Sequence, residues 1–160
     1  FNHPSTSFYM KSIASILFFL FFLQIGFSQD HASSDVYSTS KGAIDGYDPV
    51  AYFTEKQAVK GQQNIVYEWQ NAQWHFASEE NKAVFIQDPE KYAPQYGGYC
   101  AYGWAQGYAA KTEGTAWSVV EDKLYLNYNS KVKSTWDEDQ KAFIKKADEE
   151  YQKASTKKGN

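Results

Sequence analysis

The chain has 160 residues, a formal net charge of −3 and aromatic side chains at 18% of its positions. All 16 of its cationic side chains are lysines, so the forked guanidinium that recognises phosphate is absent and the overall acidity disfavours a nucleic-acid partner. A single cysteine, Cys100, excludes a disulfide framework within the chain.

In chain order, Met10-Lys11-Ser12 opens a nearly continuous apolar run from Ile13 to Phe27, closed by Ser28. A short basic start, an apolar core and small residues at Gly26 and Ser28, the −3 and −1 places of a cut after Ser28, are the pattern of a secretory signal peptide over residues 10–28. The run falls short of the roughly 20 residues a membrane helix needs, so the expected product is extracytoplasmic, periplasmic or secreted, with no stable membrane anchor. An uncleaved anchor is the other reading. Residues 1–9 precede the only methionine and read as translated upstream sequence or a cloning remnant.

Residues 29–42 are rich in Ser, Thr and Asp and read as a flexible lead-in. A folded domain is expected over 43–153, and a Lys-rich frayed tail over 154–160. Asp48-Pro49 before Val50-Ala51-Tyr52-Phe53 reads as an N-cap, a proline at the first helical place and a short apolar turn. Ile65 to Trp69 and Trp74 to Ala77 are β-prone runs that make a hairpin, with Gln73, His75 and Ala77 on one face and Trp74 and Phe76 on the other. Ser78 caps a helix whose first turn carries Glu79 and Glu80, and Pro89 ends it. An aromatic and glycine-rich stretch from Tyr92 to Trp104 follows, where Cys100, Gly103 and Gly107 would share a helical face. Trp117 to Val120 and Lys123 to Asn127 make a second hairpin. Lys133 to Tyr151 reads as one long amphipathic helix burying Trp136, Phe143, Ile144 and Ala147. No internal repeat is evident. Two hairpins and several helices without βαβ alternation predict an α+β fold with a small antiparallel sheet.

These pieces together resemble the YHS domain, in its exported single-domain branch. The resemblance rests on Asp45-Gly46-Tyr47-Asp48-Pro49-Val50-Ala51-Tyr52-Phe53, on Trp74-His75-Phe76-Ala77-Ser78 with Asn81 and Phe85, on Pro89 through Ala101, and on Leu124-Tyr125-Leu126-Asn127. It covers roughly residues 42–153 and implies a small α+β domain associated with heavy-metal handling, copper especially. In the metal-binding branch, the resemblance implies, three cysteines supply thiols at the positions held here by Ala51, Ala77 and Asn81. All three thiols are missing, and Trp74 stands where a tyrosine is usual.

The residues themselves leave several chemistries open. Cys100 and His75 are the only thiol–imidazole pair within the expected folded domain, suited to a soft metal such as Cu(I) or to a nucleophile and its base. The plainer readings are a small buried cysteine behind a glycine-rich turn and a hydrogen-bonded strand histidine. Tyr96 and Tyr99, with Tyr92, Tyr102, Trp104 and Tyr108, could line a small-molecule pocket or serve only as core. Tyr47 and Asp48, with Asp45 and Tyr52, could join a polar site with His75, or act in capping and turns. Cleavage after Ser28 would leave Gln29-Asp30-His31, whose amine, two amides and imidazole make a square-planar nitrogen set that suits Cu(II) or Ni(II). The expectation is therefore a non-enzymatic exported binding domain taking a metal ion such as copper, or another small ligand. A thiol-dependent enzyme centred on Cys100 and a metal-free partner-binding module are the alternatives.

Overall fold

The computed structural model describes residues 36–158. Its first element lies inside the stretch expected to be a lead-in. Strand β1 (Ser38–Thr39) pairs antiparallel with β2 (Gly42–Ala43). The Tyr37 N–H donates to the Gly97 carbonyl at 2.9 Å, and its ring packs on Tyr99 with centroids 5.5 Å apart. Residues 36–42, which fall inside the expected lead-in, thus belong to the folded body, because two apolar side chains in a polar stretch are enough to seat them on it.

A 3-10 turn at Ile44–Gly46 leads to the short helix α1 (Ala51–Thr54). The first main hairpin joins β3 (Gln62–Trp69) to β4 (Ala72–Phe76) through Gln70 and Asn71, both left-handed at φ 51° and 56°. Two such residues in succession give the turn whose twist matches the strands. Strand alternation places Trp74 and Phe76 in the core and Gln73 at the surface, with His75 half-buried on the outer face. Helix α2 (Glu79–Gln87) starts at Ser78, whose hydroxyl accepts from the Asn81 N–H at 3.1 Å. Its buried Phe85 meets Trp74 and Phe76 at centroid distances of 5.3 and 5.2 Å. Pro89 does more than end α2: with Asp88 as cap it opens α3 (Pro89–Tyr92).

A second 3-10 turn at Gln95–Gly98 precedes α4 (Ala101–Ala105). Cys100 is its N-cap, and Gly107 lies beyond its end, so these two do not share a helical face with Gly103 as expected. The second main hairpin joins β5 (Glu113–Val120) to β6 (Lys123–Asn127) through Glu121 and Asp122, at φ 50° and 58°. The expected single helix over 133–151 is two: α5 (Ser130–Asp137) and α6 (Gln140–Lys158). Asp139 makes the break, its carboxylate accepting the Ala142 N–H at 3.1 Å. Helix α6 also runs through most of the expected frayed tail.

The fold is α+β, as the patterning predicts, but among the described residues the strands form three separate two-stranded antiparallel sheets rather than one. One core gathers Ile44, Tyr52, Trp74, Phe76, Phe85 and Leu124, and the other gathers Tyr96, Ala101, Tyr125, Trp136 and Ala147.

Candidate functional site

The most constrained polar group among the described residues is the Asp48 carboxylate, which is fully buried. One oxygen, Oδ1, accepts the N–H groups of Val50 at 2.8 Å and Ala51 at 3.3 Å, where α1 begins. The other, Oδ2, accepts the Ala77 N–H at 2.8 Å and the Asn81 side-chain amide at 2.7 Å. A buried anion needs this many donors to replace its lost hydration. Asp48 is therefore a cap, as expected, and also a bolt that ties α1 to the end of β4 and the first turn of α2. The three positions where the resemblance places thiols, Ala51, Ala77 and Asn81, all converge on this one carboxylate. Asn81 is a site residue that residue-by-residue reading passed over; only its alignment with a family thiol marked it.

The remaining candidates scatter. Tyr47 packs its ring on the backbone of Gly114, where a Cβ would fall 2.2 Å from the ring, and Lys60 Nζ lies 3.7 Å from the ring centroid on a cation–π path. His75 Nδ1 lies 3.2 Å from the Gln62 carbonyl. A carbonyl can only accept, so Nδ1 carries the proton and Nε2 is left as the basic nitrogen. The ring covers Gly42, where a Cβ would come within 2.5 Å of its Cδ2. Tyr96 is buried at φ 58°, and its hydroxyl donates to Asp148 at 2.8 Å; burial and that carboxylate push the phenol up. Tyr99 is half-buried against Tyr37. His31 lies outside the described residues.

Cys100 is 1% exposed. Its sulfur accepts the Gly103 N–H at 3.3 Å and donates to Asn127 Oδ1 at 3.7 Å, an oxygen that also accepts the Tyr102 N–H at 3.1 Å. Burial pushes the thiol up, against the smaller opposing effect of the backbone N–H groups facing it. His75 and Cys100 belong to separate neighbourhoods: Gln62 and Gly42 surround the imidazole, Gly103 and Asn127 the sulfur. No hydrogen bond joins the pair among the described residues, so the shared thiol–imidazole centre gains no support from the geometry.

Residues 50–96 match the family model described as the YHS domain. The chain contains a YHS domain. No curated protein and no solved structure gave a match. YHS domains are commonly linked to metal handling, and the Asp48 neighbourhood holds the positions where the family's thiols would stand. Its donor set does not fit a soft metal. Ala51 and Ala77 present only backbone, Asn81 turns its amide nitrogen inward, and all four N–H donors are already spent on the carboxylate. Among the described residues no three His, Cys, Asp or Glu side chains gather into a metal-binding group.

Proposed function

We propose that this YHS domain is an exported, non-enzymatic binding module in which a buried carboxylate anchor has replaced the thiol-metal site. The observation that carries the reading is the Asp48 network, which fills the three thiol positions with two backbone N–H donors and an amide. Export rests on the apolar run from Ile13 to Phe27 and the small residues before the cut. Thiol catalysis is disfavoured because a buried, upward-shifted thiol is a poor nucleophile at neutral pH.

The test is metal analysis of the mature protein, purified without chelator from the extracytoplasmic fraction, followed by Cu(I) and Cu(II) titration. Binding that is unchanged between wild type and Asp48→Asn or Cys100→Ser supports the reading. Near-stoichiometric metal that either variant releases would overturn it. Any Cu(II) uptake lost in His31→Ala alone would belong to the amino terminus. Alkylation of Cys100 should follow unfolding rather than occur in the native state.

A groove of about 380 Å³ between β6 and α6 favours the small-molecule form of this module. Tyr125, Lys123, Lys141, Lys145 and Asp148 line it. Burial pushes the Tyr125 phenol up to about 12, so it stays protonated and can donate at neutral pH. Such a wall suits a small ligand bearing both signs of charge. Titration with free amino acids should then shift amide resonances on β6 and α6 only; shifts elsewhere or none would exclude the groove.

A further inference from the structure

Two stretches of this chain repeat each other in backbone geometry although their sequences barely agree. The strands of the second main hairpin lie 51 positions after those of the first at all four ends: Gln62 and Trp69 against Glu113 and Val120, Ala72 and Phe76 against Lys123 and Asn127. Their registers carry the same irregularity at the same rung. Gln62 faces Phe76 and then Val66 faces His75; Glu113 faces Asn127 and then Trp117 faces Leu126. Both turns use two left-handed residues, Gln70-Asn71 and Glu121-Asp122. Each hairpin is followed by a side-chain cap that accepts an N–H three residues on, Ser78 from Asn81 at 3.1 Å and Asn129 from Val132 at 2.9 Å. In each helix that follows, one aromatic is fully buried: Phe85 and, 51 positions on, Trp136. Tight hairpins of this type are common, but a long bulge at one rung, the same cap and the same buried aromatic at one offset are not expected of unrelated hairpins.

The match extends upstream at an offset of 51 or 52. Gly46-Tyr47-Asp48 corresponds to Gly98-Tyr99-Cys100, the glycine of each closing a 3-10 turn that contains left-handed residues. The Asp48 N–H donates to the Val59 carbonyl at 2.8 Å and the Cys100 N–H to the Ala110 carbonyl at 2.9 Å. The Gly46 carbonyl accepts from the Gly61 N–H at 2.9 Å, and the Gly98 carbonyl from the Thr112 hydroxyl at 2.8 Å. At the anchor itself, Asp48 takes the Ala51 N–H and Cys100 takes the Gly103 N–H, both at 3.3 Å. Asp48 takes the Ala77 N–H from the end of β4, and the Tyr128 N–H at the end of β6 faces the Cys100 sulfur. Each anchor has an asparagine side chain as a further partner, Asn81 from the helix in one copy and Asn127 from the strand in the other.

We infer that residues 44–137 are two copies of one structural unit and that Cys100 is the second copy's counterpart of Asp48, a hydrogen-bonded anchor rather than a reactive thiol. The YHS match at residues 50–96 then spans mainly the first copy. The inference does not depend on whether the domain binds metal.

Equilibrium urea unfolding of the mature chain with Cys100→Ser and with Cys100→Ala tests it. A cysteine that only fills apolar space loses less on becoming Ala than on becoming Ser, because a buried hydroxyl costs more than a small void. An anchor that must accept N–H groups shows the opposite order. The Ser variant should therefore have the higher urea midpoint; a higher midpoint for Ala would overturn the assignment. Hydrogen exchange on the unsubstituted protein provides a second reading that needs no variant. The Gly103 and Tyr128 amides should be slowed more than about a hundredfold, as should those of Ala51 and Ala77. Fast exchange at Gly103 and Tyr128 beside slow exchange at Ala51 and Ala77 would also overturn it.

Discussion

Asp48 concentrates much of this domain's local order in one side chain. Asp48→Ala leaves three backbone N–H groups and one amide without an acceptor in a buried place. The expected loss is several kcal/mol, at about 1–3 kcal/mol for a buried donor left without a partner. Asp48→Asn keeps one acceptor oxygen and should lose less; urea midpoints of the two variants check both the size and the order. The cap was legible in Asp48-Pro49, since capping is local chemistry. The reach of Oδ2 to Ala77 was not, because nothing in an alanine announces that its N–H will meet a carboxylate 29 positions earlier. Two carboxyls, Asp45 and Asp137, are held below their usual range, and Asp45 carries the part of the acid-side pH dependence that Lys60 controls. The hydrogen bond from Lys60, at 2.8 Å to Oδ2, holds its carboxyl below the usual carboxylate range. A depressed folded-state pKa contributes stability above the unfolded pKa and loses it as pH falls through the folded one. Stability should therefore decline below about pH 4, and more steeply in wild type than in Lys60→Gln. Parallel acid-unfolding curves for the two would refute this assignment.

At the scale of elements, type and order were readable and ends were not. Both main hairpins, the Ser78 cap and the amphipathic C-terminal region follow from alternation and capping chemistry. The single helix expected over 133–151 failed because Trp136 and Phe143 keep helical spacing across the break, which hides it from a periodicity argument. Asp139, a capping residue type three positions before Ala142, was the available signal. The hairpin turns carry a cost that the sequence does reveal. Glu121 and Asp122 sit left-handed without glycine, and that conformation favours Asn followed by Gly. Glu121→Asn with Asp122→Gly should stabilise the protein by about 1 kcal/mol, measured as a higher urea midpoint at unchanged slope.

For the whole molecule, the duplication stayed hidden because its two copies share backbone rather than side chains: a carboxylate answers to a thiol, and Phe85 to Trp136. The order of residues 36–42 stayed hidden for a different reason. Composition marked residues 29–42 as polar, and composition is blind to two well-placed contacts. Tyr37 accepts the Ile44 N–H at 2.8 Å and donates to Gly97 at 2.9 Å, which ties the hairpin β1–β2 to the turn before α4. Two backbone hydrogen bonds contribute about 1 kcal/mol each, and the Tyr37–Tyr99 ring contact about another 1 kcal/mol. A chain beginning at Ala43 should thus be about 3 kcal/mol less stable than one beginning at Val36, with a Tm lower by about 10 °C. Tyr37→Ala in the longer chain should reproduce only the part due to the ring, since it keeps both backbone bonds. Equal melting of the two chain lengths would return residues 36–42 to the status of a lead-in.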